Sequence, residues 1–439
     1  MPSLNDTLSQ FKITPGRLVK TIHETSGKFG AKGKWGPLDS DTGVCRLALS
    51  DEDKGVRDWF VQELISLGCE VKIDEVGSIF GIYPGKDNSK PPTAMGSHLD
   101  TQPTGGRYDG ILGVLSGLEV LRTFKDSGYV PNYPVALVDW MNEEGARFPM
   151  SIMASSVWAG NFSKEEVYNT KSISDLKPVS VKEELERIGY LGETPANYLQ
   201  NKLAAHFEIH IEQGPILEEE EKEIGIVVGV QSYSWFNVYV RGKAQHTGTT
   251  PLNARNDALL SCAKMLVKAN EIAHKHNGLC SIGTLRLEPS SINVIPEYVH
   301  FTLDCRHQLD EVREKIIEEC KSEFQKIAEA PNGSSTKEAK VEFELIYTSP
   351  AVHFNEVCVS CVEQSAEELV GKNKVKKIIS GAGHDSCSTS TRIPTSMIFI
   401  PCKDGVSHNF EEYSTPEQCE NGYLTLLGAV VRYDQNRSE

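Results

Sequence analysis

Val135-Ala136-Leu137-Val138-Asp139-Trp140-Met141-Asn142-Glu143-Glu144-Gly145 is an apolar run that ends in two adjacent carboxylates. Pro134 to Met141 has strand length and no clean alternation, which predicts a strand covered on both faces, as in the parallel sheets of α/β proteins. Two neighbouring anions at such a strand end are costly unless positive charge compensates them. A metal ion on one and a shared proton on the other would do so; a solvated loop is the plainer alternative. Working outward, short β-rich runs occupy Glu70–Tyr83 and Thr93–Ser97, and a helix is expected over Ile111–Phe124. Ser50-Asp51-Glu52-Asp53 resembles a capping box ahead of the helical stripe Val56 to Ile65, and Thr14-Pro15 reads as an earlier helix start. After Pro350 the pattern resumes with a helix to Val370, strands Val375–Ser380 and Thr395–Pro401, and a helix Pro416–Tyr433. Helices alternating with buried strands indicate an α/β layer with a mixed, mostly parallel sheet.

The middle of the chain differs. Strand Ser234–Arg241, helix Asn256–His276, strands Leu279–Leu287 and Glu297–Cys305, helix Asp310–Ala328 and strand Lys340–Tyr347 give the order β-α-β-β-α-β, a ferredoxin-like α+β unit. Tyr298 to Leu303 alternates, as in a sheet with one buried face, and Pro331–Ser335 reads as a loop. The expected organisation is a catalytic domain formed by 1–230 and 348–439, with a smaller domain inserted at 231–347.

A net charge of −16 disfavours nucleic acid and anionic membranes as partners. An anionic substrate must then be caught by local positive charge, a metal or a placed arginine. No run approaches the roughly 20 apolar residues of a membrane span, and Met1 to Lys20 has no signal-type apolar core. The 11 scattered cysteines suggest reduced thiols and a cytoplasmic protein. Cys358 and Cys361 fall in a helical pattern and read as core.

Further ionisable residues stand at the ends of other predicted strands, where α/β proteins bind their ligands. Asp100 follows His98 by two, so its carboxylate can orient the imidazole. Asp109 sits at a glycine-flanked helix start, as ligand or as helix cap; Gly105 and Gly106 would let backbone approach a metal or substrate. His206, Glu208, His210 and Glu212 alternate with apolar residues and share one strand face, hard to explain as core and possible as an exposed edge. His384 and His408 lie in loops after predicted strands. Mixed imidazole and carboxylate ligation suits zinc, with manganese, cobalt or nickel as alternatives.

The ordered set Gly96–Thr101, Tyr108–Gly110, Asn142–Gly145, Glu208–Gly214, His246–Pro251, Asn293, Asp304–His307, Ser380–Asp385 and Ser407–Asn409 resembles one family. It is the amidase, hydantoinase and carbamoylase branch of the dinuclear zinc aminoacylase and carboxypeptidase superfamily, which has a zinc-exopeptidase-like catalytic domain. The resemblance runs from about residue 17 to 434 and looks closest to the yeast β-alanine synthases (β-ureidopropionases of pyrimidine catabolism), through Tyr108–Asp126 and Pro394–Asn409. It implies two zinc ions per subunit, bridged by Asp109, with His98 and His210 completing one and Glu144 and His408 the other. Asp100 would orient His98, and Glu143 would move a proton from the attacking water to the leaving nitrogen. His246 and His384 would hold the carbonyl oxygen, and Arg306, Asn293 and Gln213 the substrate carboxylate. In this family the insert is also the dimerisation domain, so a homodimer is implied, and the partner subunit can complete a site that closes over the substrate. Gln245-His246-Thr247 departs slightly from the many relatives with a smaller residue after the histidine, which touches pocket shape alone.

The expected reaction is hydrolysis of the carbamoyl C–N bond of an N-carbamoyl amino acid, N-carbamoyl-β-alanine first, to the amino acid, carbon dioxide and ammonia. Allantoate, an N-acyl amino acid or a dipeptide are alternatives for the same machinery, and a silent binding homologue is the alternative of another class. A thiol nucleophile at Cys387 has no partner logic in the sequence.

Overall fold

The computed structural model describes residues 8–329 and 338–437, so the Pro331–Ser335 loop lies outside the described residues. The described residues up to Gly229 and from His353 onward form one compact unit, and Val230–Val352 form a second. The inserted segment expected over 231–347 falls within that second unit.

The elements of the first unit that build the large sheet and its main helices are helix α1 (Arg17–Lys28), helix α2 (Asp51–Leu67), strands β1 (Glu70–Ile73), β2 (Ile79–Tyr83) and β3 (Thr93–Ser97), helix α3 (Ile111–Ser127), and strands β4 (Val135–Asp139), β5 (Ala205–Ile211) and β6 (Ile224–Val230). In the second are strand β7 (Ser232–Arg241), helix α4 (Ala258–Lys275), strands β8 (Leu279–Ser281), β9 (Leu285–Glu288) and β10 (Tyr298–His307), helix α5 (Asp310–Glu329) and strand β11 (Lys340–Ser349). Short strand β12 (Val352–His353), helix α6 (Glu356–Val370), strands β13 (Val375–Ser380) and β14 (Thr395–Ile400), and helix α7 (Pro416–Asn436) follow.

The large sheet has the order β12-β6-β14-β5-β3-β4-β2-β1, with β13 beside β6. Its heart is parallel: β14 with β5, β5 with β3, and β3 with β4. Antiparallel strands flank it, β6 against β14 and β2 against β4. Strands β3, β4, β5 and β14 are buried along their whole length, the consequence of helices on both faces of a parallel sheet. Three parallel strand ends therefore point the same way as β14, and their following loops converge.

Local chemistry sets the helix ends. Ser50 Oγ accepts the Asp53 N–H at 3.2 Å, but Asp53 reaches back to the Leu49 N–H (2.8 Å) and pairs with Arg57 Nε (2.8 Å), so the reciprocal half of the box is shifted by one residue. Thr415 and Gln418 form a full capping box ahead of α7, with Pro416 in its first turn. The expected start at Thr14-Pro15 is corrected: Gly16, in the left-handed region, precedes α1, and Thr14 contributes only its carbonyl to the Arg17 N–H.

The second unit is an antiparallel sheet, β8-β10-β7-β11, with β9 also on β10. With α4 and α5 this is the β-α-β-β-α-β order once β8 and β9 are taken as one interrupted strand, and the helices and sheet enclose a core of Val238, Val240, Met265, Phe301, Leu303 and Phe324. The single strand expected over Leu279–Leu287 is two. Thr302 Oγ1 on β10 accepts the N–H groups of Gly283 (3.3 Å) and Thr284 (3.0 Å), a side-chain acceptor that interrupts the ladder between β8 and β9.

Candidate metal centre

The loops after β3, β4 and β14, with the end of strand β5, bring the ionisable residues together. His98 follows β3 directly, Glu143 and Glu144 follow β4, His210 is the penultimate residue of β5, and His408 lies in the loop after β14. Asp109 comes from the turn before α3. His210 Nε2 stands 3.0 Å and His98 Nε2 3.7 Å from Asp109 Oδ1. The other Asp109 oxygen, Oδ2, is 3.3 Å from His408 Nε2, which is itself 3.5 Å from Glu144 Oε2. The ligand atoms of His98, Asp109 and His210 all lie within 4.8 Å of one another, as do those of Asp109, Glu144 and His408. Asp109 is the member common to both groups, with one oxygen turned to each.

The rings are held with Nε2 facing inward. His98 Nδ1 donates to the Asp100 carbonyl at 2.9 Å and His210 Nδ1 to the Ile211 carbonyl at 2.8 Å, which leaves each Nε2 as the inward donor atom. Asp100 thus steadies His98 through its backbone; its carboxylate is 3.8 Å from Nδ1 and instead accepts the N–H groups of Glu143 (3.2 Å) and Glu144 (3.3 Å). One residue therefore fixes the imidazole and the turn that carries both glutamates.

The charges are those of a cation-binding pocket. Burial raises the Asp109 carboxyl, but hydrogen bonds with His210 and His408 outweigh it and hold the group well below its ordinary range. Burial likewise opposes charge on His210, yet Asp109 pushes it up to about 9. Glu143 and Glu144 are held well above the ordinary carboxylate range by burial, Glu143 next by Asp385 and Glu144 next by Asp109. His98 is lowered to about 4 by burial, the neutral form that ligates. Clustered buried carboxylates beside imidazoles fit a divalent cation of the zinc type, whose charge would relieve the carboxylates' mutual repulsion and take the place of the proton that Asp109 now holds on His210.

Glu143 belongs to neither group of donors. Its Oε2 lies 3.6 Å from His98 Nε2, so it borders the cluster with a carboxyl that favours its proton. His384 is buried, with its ring centroid 4.5 Å from that of His210 and its Nε2 3.0 Å from Ser380 Oγ. Gln213 Nε2 donates to Asp109 Oδ2 at 2.9 Å, while its Oε1 is buried without a partner among the described residues. Gln213 and His408, whose side chains face Asp109, have φ of 59° and 55°, the left-handed region that non-glycine residues seldom adopt.

For several supporting residues the sequence suggested no role. Glu412, buried, accepts the N–H groups of Tyr108 (3.1 Å) and Asp109 (3.0 Å), and Ser407 bonds both Glu412 Oε2 (2.9 Å) and Asp109 Oδ2 (3.2 Å). Gln102 clamps Glu144 through its N–H (3.1 Å) and Nε2 (2.7 Å). Gly106 turns out to make room for Glu412: a Cβ there would meet Glu412 Oε1 at 2.2 Å. Of the polar row on β5, Glu208 takes hydrogen bonds from Ser97 and Ser386, His206 faces Trp140 Nε1 and Ser386, and Glu212 caps the Ile216–Glu219 turn; only His210 reaches the cluster. The row is interior, not an exposed edge. Cys358 and Cys361 are buried in α6, and burial pushes the Cys387 thiol up to about 12, which leaves no thiolate for a nucleophile.

The remaining expected residues belong to the second unit. His246 is on a two-residue strand paired with Val294–Ile295, and the Thr247 N–H donates to the Asn293 carbonyl at 3.0 Å, so His246 and Asn293 are neighbours. Arg306 on β10 pairs with Asp304 at 2.8 Å and faces the Tyr233 ring at 5.2 Å.

Comparison with known proteins agrees with this geometry. Residues 94–432 match the peptidase family M20/M25/M40. An N-carbamoyl-L-amino-acid amidohydrolase of Rhizobium meliloti is 38% identical over 392 residues, covering 88% of this chain and 90% of that protein. A ureidoglycolate hydrolase of Arabidopsis thaliana is 33% identical over 395 residues, covering 87% and 80%. The crystal structure of an amidase of the hydantoinase/carbamoylase family from Burkholderia multivorans superposes with a TM-score of 0.88 at 39% identity, over 97% of this chain and 99% of that one. The chain belongs to the peptidase family M20/M25/M40 and, within it, to the amidase and carbamoylase branch, metal-dependent hydrolases of C–N bonds.

Proposed function

We propose that the protein is a dinuclear zinc amidohydrolase that releases ammonia and carbon dioxide from an N-carbamoyl amino acid, with N-carbamoyl-β-alanine the first substrate to test. The observation that carries this is Asp109, whose two carboxylate oxygens face two separate sets of donors. Two divalent ions held there by His98, His210, Asp109, Glu144 and His408 would acidify a water and polarise the scissile carbonyl. Manganese, cobalt or nickel would suit the same donors.

The chain's own residues supply the rest. Glu143 keeps its proton by burial while the centre holds no cation; with cations bound it would stand as the carboxylate, take a proton from the attacking water and hand it to the leaving nitrogen. Asp100 holds the Glu143 backbone so that this carboxyl stays beside His98. His384 and His246 hold the carbonyl oxygen as charge develops on it. Arg306, Asn293 and Gln213 grip the substrate carboxylate, the planar guanidinium bidentately. Arg306 is already paired with Asp304, so substrate must compete with that ion pair or share the guanidinium with it. The second unit also serves as the homodimer interface in this reading, and the enzyme works in the cytoplasm.

The resemblance to an N-carbamoyl-L-amino-acid amidohydrolase supports a carbamoyl substrate, and the resemblance to a ureidoglycolate hydrolase favours a second reading, a ureido acid of the allantoate type. Zinc-reconstituted protein offered N-carbamoyl-β-alanine, N-carbamoyl-L-amino acids, ureidoglycolate and allantoate should release ammonia from at least one. Amine release from N-acyl amino acids or dipeptides without ammonia from any ureido compound would contradict the reading.

A further inference from the structure

The second unit gathers three thiols. Cys280 on β8 is directly opposite Cys305 on β10 in the antiparallel ladder, and their sulfurs stand 3.6 Å apart. Cys305 and Cys320, the latter on α5, are buried; Cys280 is half-buried on a strand at the edge of its sheet. Directly opposite residues have Cβ atoms about 4.5–5.5 Å apart, against about 3.5–4.5 Å in a disulfide. Side-chain rotation and a small approach of an edge strand are all that bond formation requires. The thiols of Cys305 and Cys320 hydrogen-bond to the Cys280 sulfur and hold it below the ordinary thiol range, which favours the reactive thiolate on the one member of the three that is not buried.

We propose that Cys280 and Cys305 are a modification site, a thiol pair that hydrogen peroxide converts into a reversible cross-strand disulfide. The Cys280 thiolate attacks one peroxide oxygen: the S–O bond forms, the O–O bond breaks, and the departing hydroxide takes up a proton and leaves as water. The Cys305 sulfur then attacks the sulfenic sulfur of Cys280. The S–S bond forms, the S–O bond breaks, and hydroxide leaves as a second water with the Cys305 proton. The two sulfurs together give two electrons to the peroxide, and a dithiol reductant restores both thiols. Cys305 is the resolving partner because it is in register with Cys280, whereas Cys320 comes from a helix.

The disulfide would close the segment 280–305, which contains Asn293 and ends beside Arg306. Its bearing on catalysis rests on the reading that these two residues hold substrate; the disulfide itself does not. The test uses the full-length, metal-loaded protein treated with hydrogen peroxide, alkylated with iodoacetamide, digested and analysed by mass spectrometry. The expected result is a Cys280–Cys305 cross-linked peptide, lighter by two hydrogens than its two thiol peptides and released by dithiothreitol. Cys320→Ser should keep the cross-link. Cys305→Ser should abolish it and leave Cys280 as a sulfenic acid that dimedone labels. Should Cys305→Ser not fold, Cys280→Ser, at the sheet edge, must still abolish the cross-link. Recovery of both thiols alkylated after peroxide, or a main product that joins Cys320 to either, would overturn the proposal.

Discussion

Glu412 Oε1 accepts the backbone N–H of Asp109 at 3.0 Å, across 303 residues of sequence. The same carboxylate takes the Tyr108 N–H and, through Oε2, the Ser407 hydroxyl that also contacts Asp109. It therefore sets the height and orientation of the residue shared by both donor groups. Such supporting contacts are commonly worth about 10–100-fold in metal affinity. Glu412→Ala should weaken zinc binding by about that factor in competition with a chromophoric chelator. Glu412→Gln, which keeps an acceptor for the two N–H groups, should lose less.

Glu143 borders the cluster without belonging to either group of donors. Glu143→Gln keeps its shape and removes the proton carrier. Turnover should fall by about 10²–10⁴-fold, the usual range for a positioned acid–base group. Zinc content by elemental analysis should be unchanged, and unchanged turnover would remove Glu143 from the mechanism.

Gly110 has φ +67°, and a Cβ there would meet the His98 ring at 2.3 Å. Gly110→Ala should destabilise the fold by about 1–3 kcal/mol through overpacking, with added strain from the backbone. The displaced ring should lower zinc content at the same time. Thermal melting and elemental analysis check the two effects separately.

Asp74 is fully buried, and burial lifts its carboxyl to about 7, even though it accepts N–H groups from Ser78 (2.8 Å) and Val76 (3.0 Å) and has Arg57 nearby. An acid whose pKa is raised on folding binds its proton more tightly in the native state, so stability falls as pH rises. The loss begins near the unfolded value of about 3.9 and is complete once pH passes the folded value near 7, a few kcal/mol in all. Asp74→Asn, which keeps the acceptor oxygen and cannot ionise, should flatten that decline. Urea unfolding of both proteins between pH 5 and pH 8 measures the difference, and parallel curves would remove Asp74 as its source.

Much of the fold was legible because the strands around the site are short, apolar and bounded by turn residues. Thr93–Ser97 was expected and found with the same ends, and β4 is shorter than the expected Pro134–Met141 by one residue at its start and two at its end. The βαββαβ order also follows from local periodicity, but the break between β8 and β9 depends on Thr302, a side chain of the facing strand that local pattern does not weigh. At the site, residue types that bind metals were readable where they follow strands. Their supports were not: Glu412, Gln102 and Ser407 are ordinary polar loop residues until distant chain closes on them. Asp100 shows the same limit, since its spacing from His98 points to a carboxylate–imidazole bond, whereas the folded turn gives the carboxylate to two backbone N–H groups. On β5, alternation placed His206, Glu208 and Glu212 with His210, but hydroxyl and backbone partners absorb the first three into the interior.

The most direct measurement is metal stoichiometry in protein stripped by a chelator and titrated with zinc, read by calorimetry and elemental analysis. Two ions per chain should bind to the unaltered protein, about one to His408→Ala, and neither tightly to Asp109→Ala. A single ion in the unaltered protein, or two retained by Asp109→Ala, would contradict a centre built around that one carboxylate.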